Sequence, residues 1–249
     1  MTVFMNEMTW PEFNKKKDRP LILPVGSTEQ HALHLPLCVD SKIAEMLSAL
    51  LADSADCIVA PTLSYGYKSK PLSGGGPLFP GTIDLSGRTL MAITEDILEE
   101  FIKDGFKKIF VMNAHFENEA FLIESIDIIS QRHPEVIILE SNWWDVLSQK
   151  TIDEIFSDSP FPGWAFEHAA VTETSLMLYL APQLVHPERM SNDKGAEPIP
   201  YFKYPIVSGM VPSSGNLAPA QSSSAEKGKL IADEAIKEFT KIMKKEAFI

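Results

Sequence analysis

The chain has little cysteine, few basic residues for its acidic content, and no long apolar run. Its two cysteines, Cys38 and Cys57, are too few for a disulfide framework and fit a reducing compartment. With 22 Lys and Arg against 34 Asp and Glu, the net charge is −12, which disfavours nucleic acids and anionic membranes as partners. The first twenty residues carry Glu7 and Glu12 where a signal peptide needs an apolar core. We therefore expect a cytoplasmic protein that acts on a small molecule.

Short apolar segments of strand length alternate along the chain with segments of helical periodicity. The strand-like segments are 21–25, 57–60, 108–112 and 136–139, and apolar residues spaced by three or four mark helices over 43–51, 90–101 and 122–129. Such alternation predicts right-handed βαβ units, and therefore a three-layer α/β/α fold with a mostly parallel central sheet. Ligand sites of such sheets lie at the carboxyl ends of the strands. We expect one domain over residues 1–249.

The last quarter of the chain has a different character. Prolines, glycines and serines accumulate over residues 182–223 without clear periodicity, which predicts a long wrapping loop. Ile231, Ala235, Phe239 and Ile242 then share one face of a predicted final amphipathic helix.

The ends of the first and third predicted strands carry similar pairs of side chains. Glu29 and His31 follow the first strand, and His115 and Glu117 follow the third. Residues two apart in an extended chain project to one side, so each pair offers a carboxylate and an imidazole to the same space. With Asp40 at the next helix start, the set suits Zn²⁺ or Mn²⁺, and a shared carboxylate can hold two ions about 3.5–4 Å apart. A single such pair is more often a helix cap or surface ion pair, but two matched pairs favour a metal site.

A third group of chemically capable residues lies in the segment 164–173. His168 is able to donate or accept a proton, with Glu167 before it and Glu173 at the start of an apolar stretch. The alternative is that His168 and its neighbour only cap a helix or form a surface pair. For Trp143, Trp144 and Trp164, the alternative to a ligand-binding role is core packing.

A glycine-rich segment, 73–76, can bring backbone N–H groups close to a ligand or form a mobile rim. It lacks the Lys-Ser/Thr ending of a phosphate loop, and it does not join a strand to a helix as a dinucleotide fingerprint would. Nucleotide binding is therefore not expected.

Taken together, these motifs resemble the creatininase family, in register from about Thr9 to the final helix. The matching segments are Glu29-Gln30-His31 with Asp40, 65–69, 73–76, 79–82, 113–118, 164–168 and 173–178. The resemblance implies a single α/β domain assembled as a homo-hexamer and holding two divalent metal ions, Zn and/or Mn. The implied reaction is metal-dependent hydrolysis of a cyclic amide, with creatinine and water giving creatine.

The resemblance also implies a role for each site residue. Asp40 would bridge the ions, Glu29 and His115 would complete one coordination sphere, and His31 and Glu117 would complete the other. His168 would transfer protons, supported by Glu167, and Glu117 would take part in catalysis as well. The expected substrate-binding residues are Ser73, Phe116, Trp144 and Trp164.

The chain departs from the family pattern at three places beside the expected site. Ala114 replaces Gly, Phe116 replaces Tyr, and Ala169-Ala170 replaces Gly-Gly. A lost tyrosine hydroxyl removes a hydrogen bond worth about 0.5–1.5 kcal/mol, and added methyl groups narrow a pocket. The alternative function is therefore a related hydrolase acting on another small cyclic amide or formamide. A further alternative is a non-catalytic protein that retains only the fold.

Overall fold

The centre of the protein is a parallel sheet of four strands, seen in a computed structural model that describes residues 2–70, 76–197 and 199–249. The strands are β1 (Leu21–Val25), β2 (Ile58–Val59), β3 (Lys108–Asn113) and β4 (Ile137–Asn142). Their order is β2-β1-β3-β4, and every pairing is parallel. Val25 pairs with Asn113, and Asn113 with Asn142, so three strands end at the same edge. The predicted parallel sheet is confirmed.

Helices cover both faces of this sheet. They are α1 (Trp10–Asn14), α2 (Val39–Ala55), α3 (Gly87–Lys103), α4 (Glu119–Arg132), α5 (Gln149–Ile155), α6 (Val171–Leu180) and α7 (Ala225–Lys245). Because side chains alternate along a strand, Ile22 and Phe110 enter one core with α2, α6 and α7, whereas Leu23 and Ile109 enter the other with α3 and α4. Two apolar cores on one sheet are the predicted three-layer α/β/α arrangement.

Two strands differ in length by two residues from the sequence prediction. β2 covers only residues 58–59, and beyond it the chain pairs with β1 again at an isolated bridge between Leu63 and Val25. β4 runs on through the polar residues Glu140, Ser141 and Asn142, which an apolar pattern does not reveal. The predicted long loop is present in the described residues 181–197 and 199–224, with short 3-10 turns at Pro182–Leu184 and Pro187–Arg189. No described helix has both the length and the apolar content needed to cross a bilayer.

A close backbone approach places α2 directly against the end of β1. A Cβ atom on Gly26 would overlap the backbone nitrogen of Ser41, so only glycine allows this contact. Ser41 also donates its hydroxyl to the carbonyl of Ser27 at 2.8 Å. Asp40, in the first turn of α2, is thereby held beside the chain that leaves β1.

Candidate metal-dependent active site

Two imidazoles and two carboxylates meet at the carboxyl edge of the sheet. Asp40 lies between the two rings: its Oδ1 is 2.9 Å from His31 Nε2, and its Oδ2 is 3.0 Å from His115 Nδ1. Glu29 Oε1 lies 3.1 Å from His115 Nδ1. All four side chains are buried. Two adjacent strand ends and one helix start thus converge on a single point, with Asp40 at its centre.

Backbone carbonyls fix which nitrogen of each imidazole faces this point. His31 Nδ1 lies 3.2 Å from the carbonyl of Glu29, and His115 Nε2 lies 2.7 Å from the carbonyl of Tyr67. Each of these nitrogens donates its N–H to a carbonyl, which leaves a lone pair on the other nitrogen toward Asp40. Among the described residues, His31 Nε2 and Asp40 Oδ2 are buried and have no hydrogen-bond partner. A lone pair facing a carboxylate requires a cation between them, so these residues fit a divalent metal.

The electrostatics of the cluster require the same positive charge. Burial disfavours an imidazolium, but Asp40 and Glu173 outweigh burial and hold the pKa of His31 well above its ordinary value. Burial likewise opposes charge on His115, yet Glu29 and Asp40 raise its pKa well above the ordinary value. Burial would raise the pKa of Asp40, but the two imidazoles hold it well below its usual range. Protons or metal ions must therefore neutralise this buried carboxylate cluster.

Two further carboxylates lie beside the cluster. Glu117 Oε2 is 3.6 Å from His115 Nε2, and Glu173 Oε2 is 3.6 Å from His31 Nε2. Within the described part of the chain, ligand atoms within 4.8 Å of one another form three groups: Glu29 with Asp40 and His115, His31 with Asp40 and Glu173, and Glu29 with His31 and His168. The first group coincides with one predicted coordination sphere. In the predicted second sphere, Glu173 lies beside His31 and Asp40. The role of Glu117 as a ligand in that sphere stays a prediction.

His168 lies at the border between the cluster and the adjoining pocket. Its ring stacks on that of His31 with centroids 4.4 Å apart, and its Nδ1 is 3.7 Å from Glu29 Oε1. Its Nε2 is 2.9 Å from the side-chain amide nitrogen of Gln30, so Nε2 accepts and the proton resides on Nδ1. Burial and the charge of His31 lower the pKa of His168. His168 therefore lies next to the candidate metal ligands, and its role in proton transfer stays a prediction.

Glu167 holds the start of α6 and also lines the pocket. Its Oε2 accepts the backbone N–H of Thr172 at 2.7 Å and the hydroxyl of the same residue. Its Oε1 has no hydrogen-bond partner among the described residues. Burial raises the pKa of Glu167 to about 7. One oxygen of this carboxylate is held by Thr172, and the other is a buried acceptor without a partner among the described residues.

Aromatic rings form the outer wall of the pocket. Phe116 lies 5.9 Å from Trp144, centroid to centroid, and Trp143 lies 5.4 Å from Trp144 and 5.8 Å from Trp164. All four rings line the pocket together with Ala114. The predicted ligand-binding residue Ser73 lies outside the described residues. The sequence predicts Trp144 and Trp164 as substrate-binding residues. It does not predict the contact of Glu173 with His31, for which the only signal is a carboxylate in the first turn after the His168 loop.

An imidazole–carboxylate centre lies at the carboxyl edge of a parallel sheet, beside a further histidine and an aromatic wall, and this arrangement is typical of a metal-dependent hydrolase with an α/β fold. Comparison with known proteins places the chain within that class. The family model described as creatininase, creatinine amidohydrolase, matches residues 6–243. The chain belongs to the creatininase family and is a metal-dependent hydrolase.

Relatives and solved structures agree with this assignment. Creatinine amidohydrolase from Pseudomonas putida is 36% identical over 245 residues, which is 94% of each chain. Solved creatininase structures, among them a Zn–Zn form, a Mn form and a variant complexed with creatine, match with a TM-score of 0.94 at 34% identity. They cover 99% of this chain and 98–99% of their own. The buried cluster described above is therefore of the kind that binds Zn or Mn.

The family also contains enzymes with other substrates. The 3-dehydro-scyllo-inosose hydrolase of Thermotoga maritima is 27% identical over 75% of this chain and 58% of its own length. The mycofactocin precursor peptide peptidase of Mycolicibacterium smegmatis is 29% identical over 66% of this chain and 59% of its own length. Membership of the family therefore sets the class of reaction and leaves the substrate to be argued from the pocket.

Proposed function

We propose that the protein hydrolyses the cyclic amide of creatinine to give creatine. The observation that carries the proposal is the position of Asp40 between the ligand nitrogens of His31 and His115, beside a pocket walled by tryptophans. The 36% identity to a creatinine amidohydrolase supports the same substrate.

The proposed metal ligands are the five residues identified in the sequence. Asp40 would be shared, with Glu29 and His115 on one side and His31 and Glu117 on the other. Two divalent ions held there supply Lewis acidity toward the amide carbonyl and lower the pKa of a water to the neutral range. The burial of these side chains keeps competing solvent away from the charges.

The protein's own groups handle the proton that the leaving nitrogen needs. Hydrolysis breaks the ring C–N bond, adds the water oxygen to the carbonyl carbon, and delivers a proton to the departing nitrogen. His168 would deliver it from Nδ1, since Gln30 occupies Nε2 at 2.9 Å. Glu167 would support this step through the loop that it fixes at the start of α6. General acid catalysis of this kind contributes roughly 10²–10⁴-fold.

Substrate recognition is assigned to the aromatic wall. Trp144 and Trp164 would enclose the flat ring, and a protonated guanidine-like face would gain about 0.5–2 kcal/mol from cation–π attraction. Phe116 would contact the same ring without the hydrogen bond that a tyrosine provides. Ser73 is proposed as a further contact from the glycine-rich segment.

The test is formation of creatine from creatinine by the purified protein supplied with Zn²⁺ or Mn²⁺, with a chelator-treated sample as the control. Turnover that disappears with chelator and returns with metal supports the proposal. If the protein contains two metal ions per chain and forms no creatine, creatinine is not its substrate, whereas its assignment as a metal-dependent hydrolase stands.

A second candidate is hydrolysis of another small cyclic amide or formamide. Phe116 and Ala114 favour it, because both line the pocket where the family pattern has Tyr and Gly. These replacements remove a hydroxyl and add a methyl group to the wall that meets the substrate. A panel of cyclic ureides, lactams and formamides, assayed under the same metal conditions, separates it from creatinine hydrolysis.

For the assembly, a homo-hexamer in the cytoplasm is proposed. Large apolar side chains stay exposed on the single chain, among them Trp10 at 79% and Tyr204 at 67%. Tyr201 and Phe202, close to Tyr204 in the chain, are exposed as well, and large exposed apolar patches are typical of protein–protein contacts. Light scattering coupled to size-exclusion chromatography tests the hexamer, and fractionation of cells tests the compartment.

A further inference from the structure

The residue after His168 has an unusual backbone conformation. Ala169 has a φ of 53°, in the left-handed region that residues with a Cβ rarely adopt. The family pattern that the sequence resembles has glycine here, for which this conformation carries no steric cost. In this chain, an alanine must be held in the turn by something else.

The carboxylate of Glu173 provides that hold. Its Oε2 accepts the backbone N–H of Ala169 at 2.7 Å. The same oxygen lies 3.6 Å from His31 Nε2. Glu173 is in the first turn of α6, and its side chain is buried. One carboxylate oxygen therefore contacts both the loop that carries His168 and the ring of a proposed metal ligand.

These contacts set the relation between the two histidine rings. The His168 ring stacks at 4.4 Å on the His31 ring, and Gln30 holds its far nitrogen. Glu173 holds the backbone of His168 from the other direction, by accepting the N–H of the next residue, Ala169. A shift of this turn would move His168 Nδ1 relative to the cluster.

We propose that Glu173 is a positioning residue that fixes His168 against His31 by holding the left-handed turn at Ala169. This role rests on the proposed function to the extent that His168 is the proton donor. The competing role is that of a metal ligand, since Glu173 also groups with His31 and Asp40. The two roles make opposite predictions for the amide variant, because a glutamine oxygen still accepts the Ala169 N–H but is a poor metal ligand.

The experiment compares Glu173→Gln, Glu173→Ala and the double variant Glu173→Ala with Ala169→Gly. Three properties are measured: metal content per chain, hydrogen–deuterium exchange of the peptide that covers residues 166–173, and kcat and KM for creatinine. We expect Glu173→Gln to keep its metal, its protection from exchange and kcat within about tenfold of the parent, because the hydrogen bond survives.

We expect Glu173→Ala to keep its metal but to exchange faster in this peptide and to lose about 100-fold in kcat with KM little changed, which is the lower end of a general acid contribution. Adding Ala169→Gly should restore kcat at least about tenfold, because glycine adopts the turn without the carboxylate. A merely destabilising substitution would not be rescued in this way.

The proposal is overturned if Glu173→Gln and Glu173→Ala both lose metal, which would make Glu173 a ligand. It is also overturned if Glu173→Ala exchanges like the parent in this peptide. Circular dichroism checks that each variant folds, and if Glu173→Ala does not, Glu173→Asp replaces it as a carboxylate too short to reach Ala169. If the parent forms no creatine, the proposed function fails, whereas metal content and exchange still decide the role of Glu173.

Discussion

The imidazole rings of His31 and His168 are stacked, with centroids 4.4 Å apart and 34° between their planes. His31 is buried and points its free nitrogen at Asp40, 2.9 Å away. His168 instead borders the aromatic pocket. If His31 binds metal and His168 transfers a proton, as proposed, the two roles fall on adjacent rings, and the proton donor lies beside the metal centre.

Replacing His168 with alanine tests this division of roles. We expect kcat to fall between about 10²- and 10⁴-fold, because the leaving nitrogen loses its acid. Metal content should not change, because Asp40 and the other proposed ligands remain. The matched control is His133→Ala, which removes a partly exposed imidazole between α4 and β4, at the edge of the sheet opposite the site. Equal turnover by both variants would remove His168 from the mechanism.

A contact between Gln30 and Gly215 supplies a second prediction. Gln30 donates to the carbonyl of Gly215 at 2.9 Å, and a Cβ at position 215 would collide with the Gln30 amide. Gly215→Ala should therefore displace Gln30 and release His168. We expect turnover to fall by about 10- to 100-fold, because a single misplaced catalytic group costs roughly 10²-fold.

Gly209→Ala is the control for backbone strain in this experiment. Gly209 and Gly215 both have a φ of 87°, but a Cβ on Gly209 meets nothing within 4 Å. The left-handed alanine should cost both variants about 1–2 kcal/mol of folding free energy, and the collision with Gln30 should add to this cost in Gly215→Ala. Only Gly215→Ala should also lose activity, as steady-state kinetics and urea melts will show. Equal activity losses would assign the effect to the loop and not to Gln30.

The convergence of the proposed metal ligands was predictable because these residues follow local rules. Glu29 and His115 come directly after strands of a parallel sheet, whose carboxyl ends share one edge, and Asp40 begins the next helix. The contact of Glu173 with His31 depends on how α6 packs across the sheet. The contact of Gln30 with Gly215 joins residues 185 positions apart. Sequence periodicity carries no information on such distant pairs.

Phe116 is the position at which the pocket should respond most directly to a change in substrate. Phe116→Tyr adds a hydroxyl to a ring that lines the pocket 5.9 Å from Trp144. If creatinine is the substrate, kcat/KM should rise about two- to tenfold, which corresponds to one added hydrogen bond of about 0.5–1.5 kcal/mol. A fall in creatinine turnover would indicate that the pocket is shaped for another cyclic amide.

The pH dependence of stability should be governed in part by Glu140 on β4. Burial, with the nearby charges of Glu119 and Asp145, raises its pKa from an ordinary 4.5 to about 8. The folded state therefore binds this proton more tightly than the unfolded state does. The resulting stabilisation is complete below pH 4.5 and is lost as the pH rises toward 8. Glu140→Gln should remove this loss and stabilise the protein by roughly 1–3 kcal/mol at pH 9, after allowance for solvent screening.

Urea melts of the parent and of Glu140→Gln from pH 4 to pH 9 measure the effect as a difference, so that metal binding and other titrations common to both proteins cancel. The two curves should lie close together near pH 4 and separate above pH 5. Glu135→Gln is the control, because this carboxylate lies just before β4 but is exposed and pairs with Lys107 at 3.1 Å. A separation that is independent of pH would mean that Glu140 is ionised throughout and that its burial carries no proton linkage.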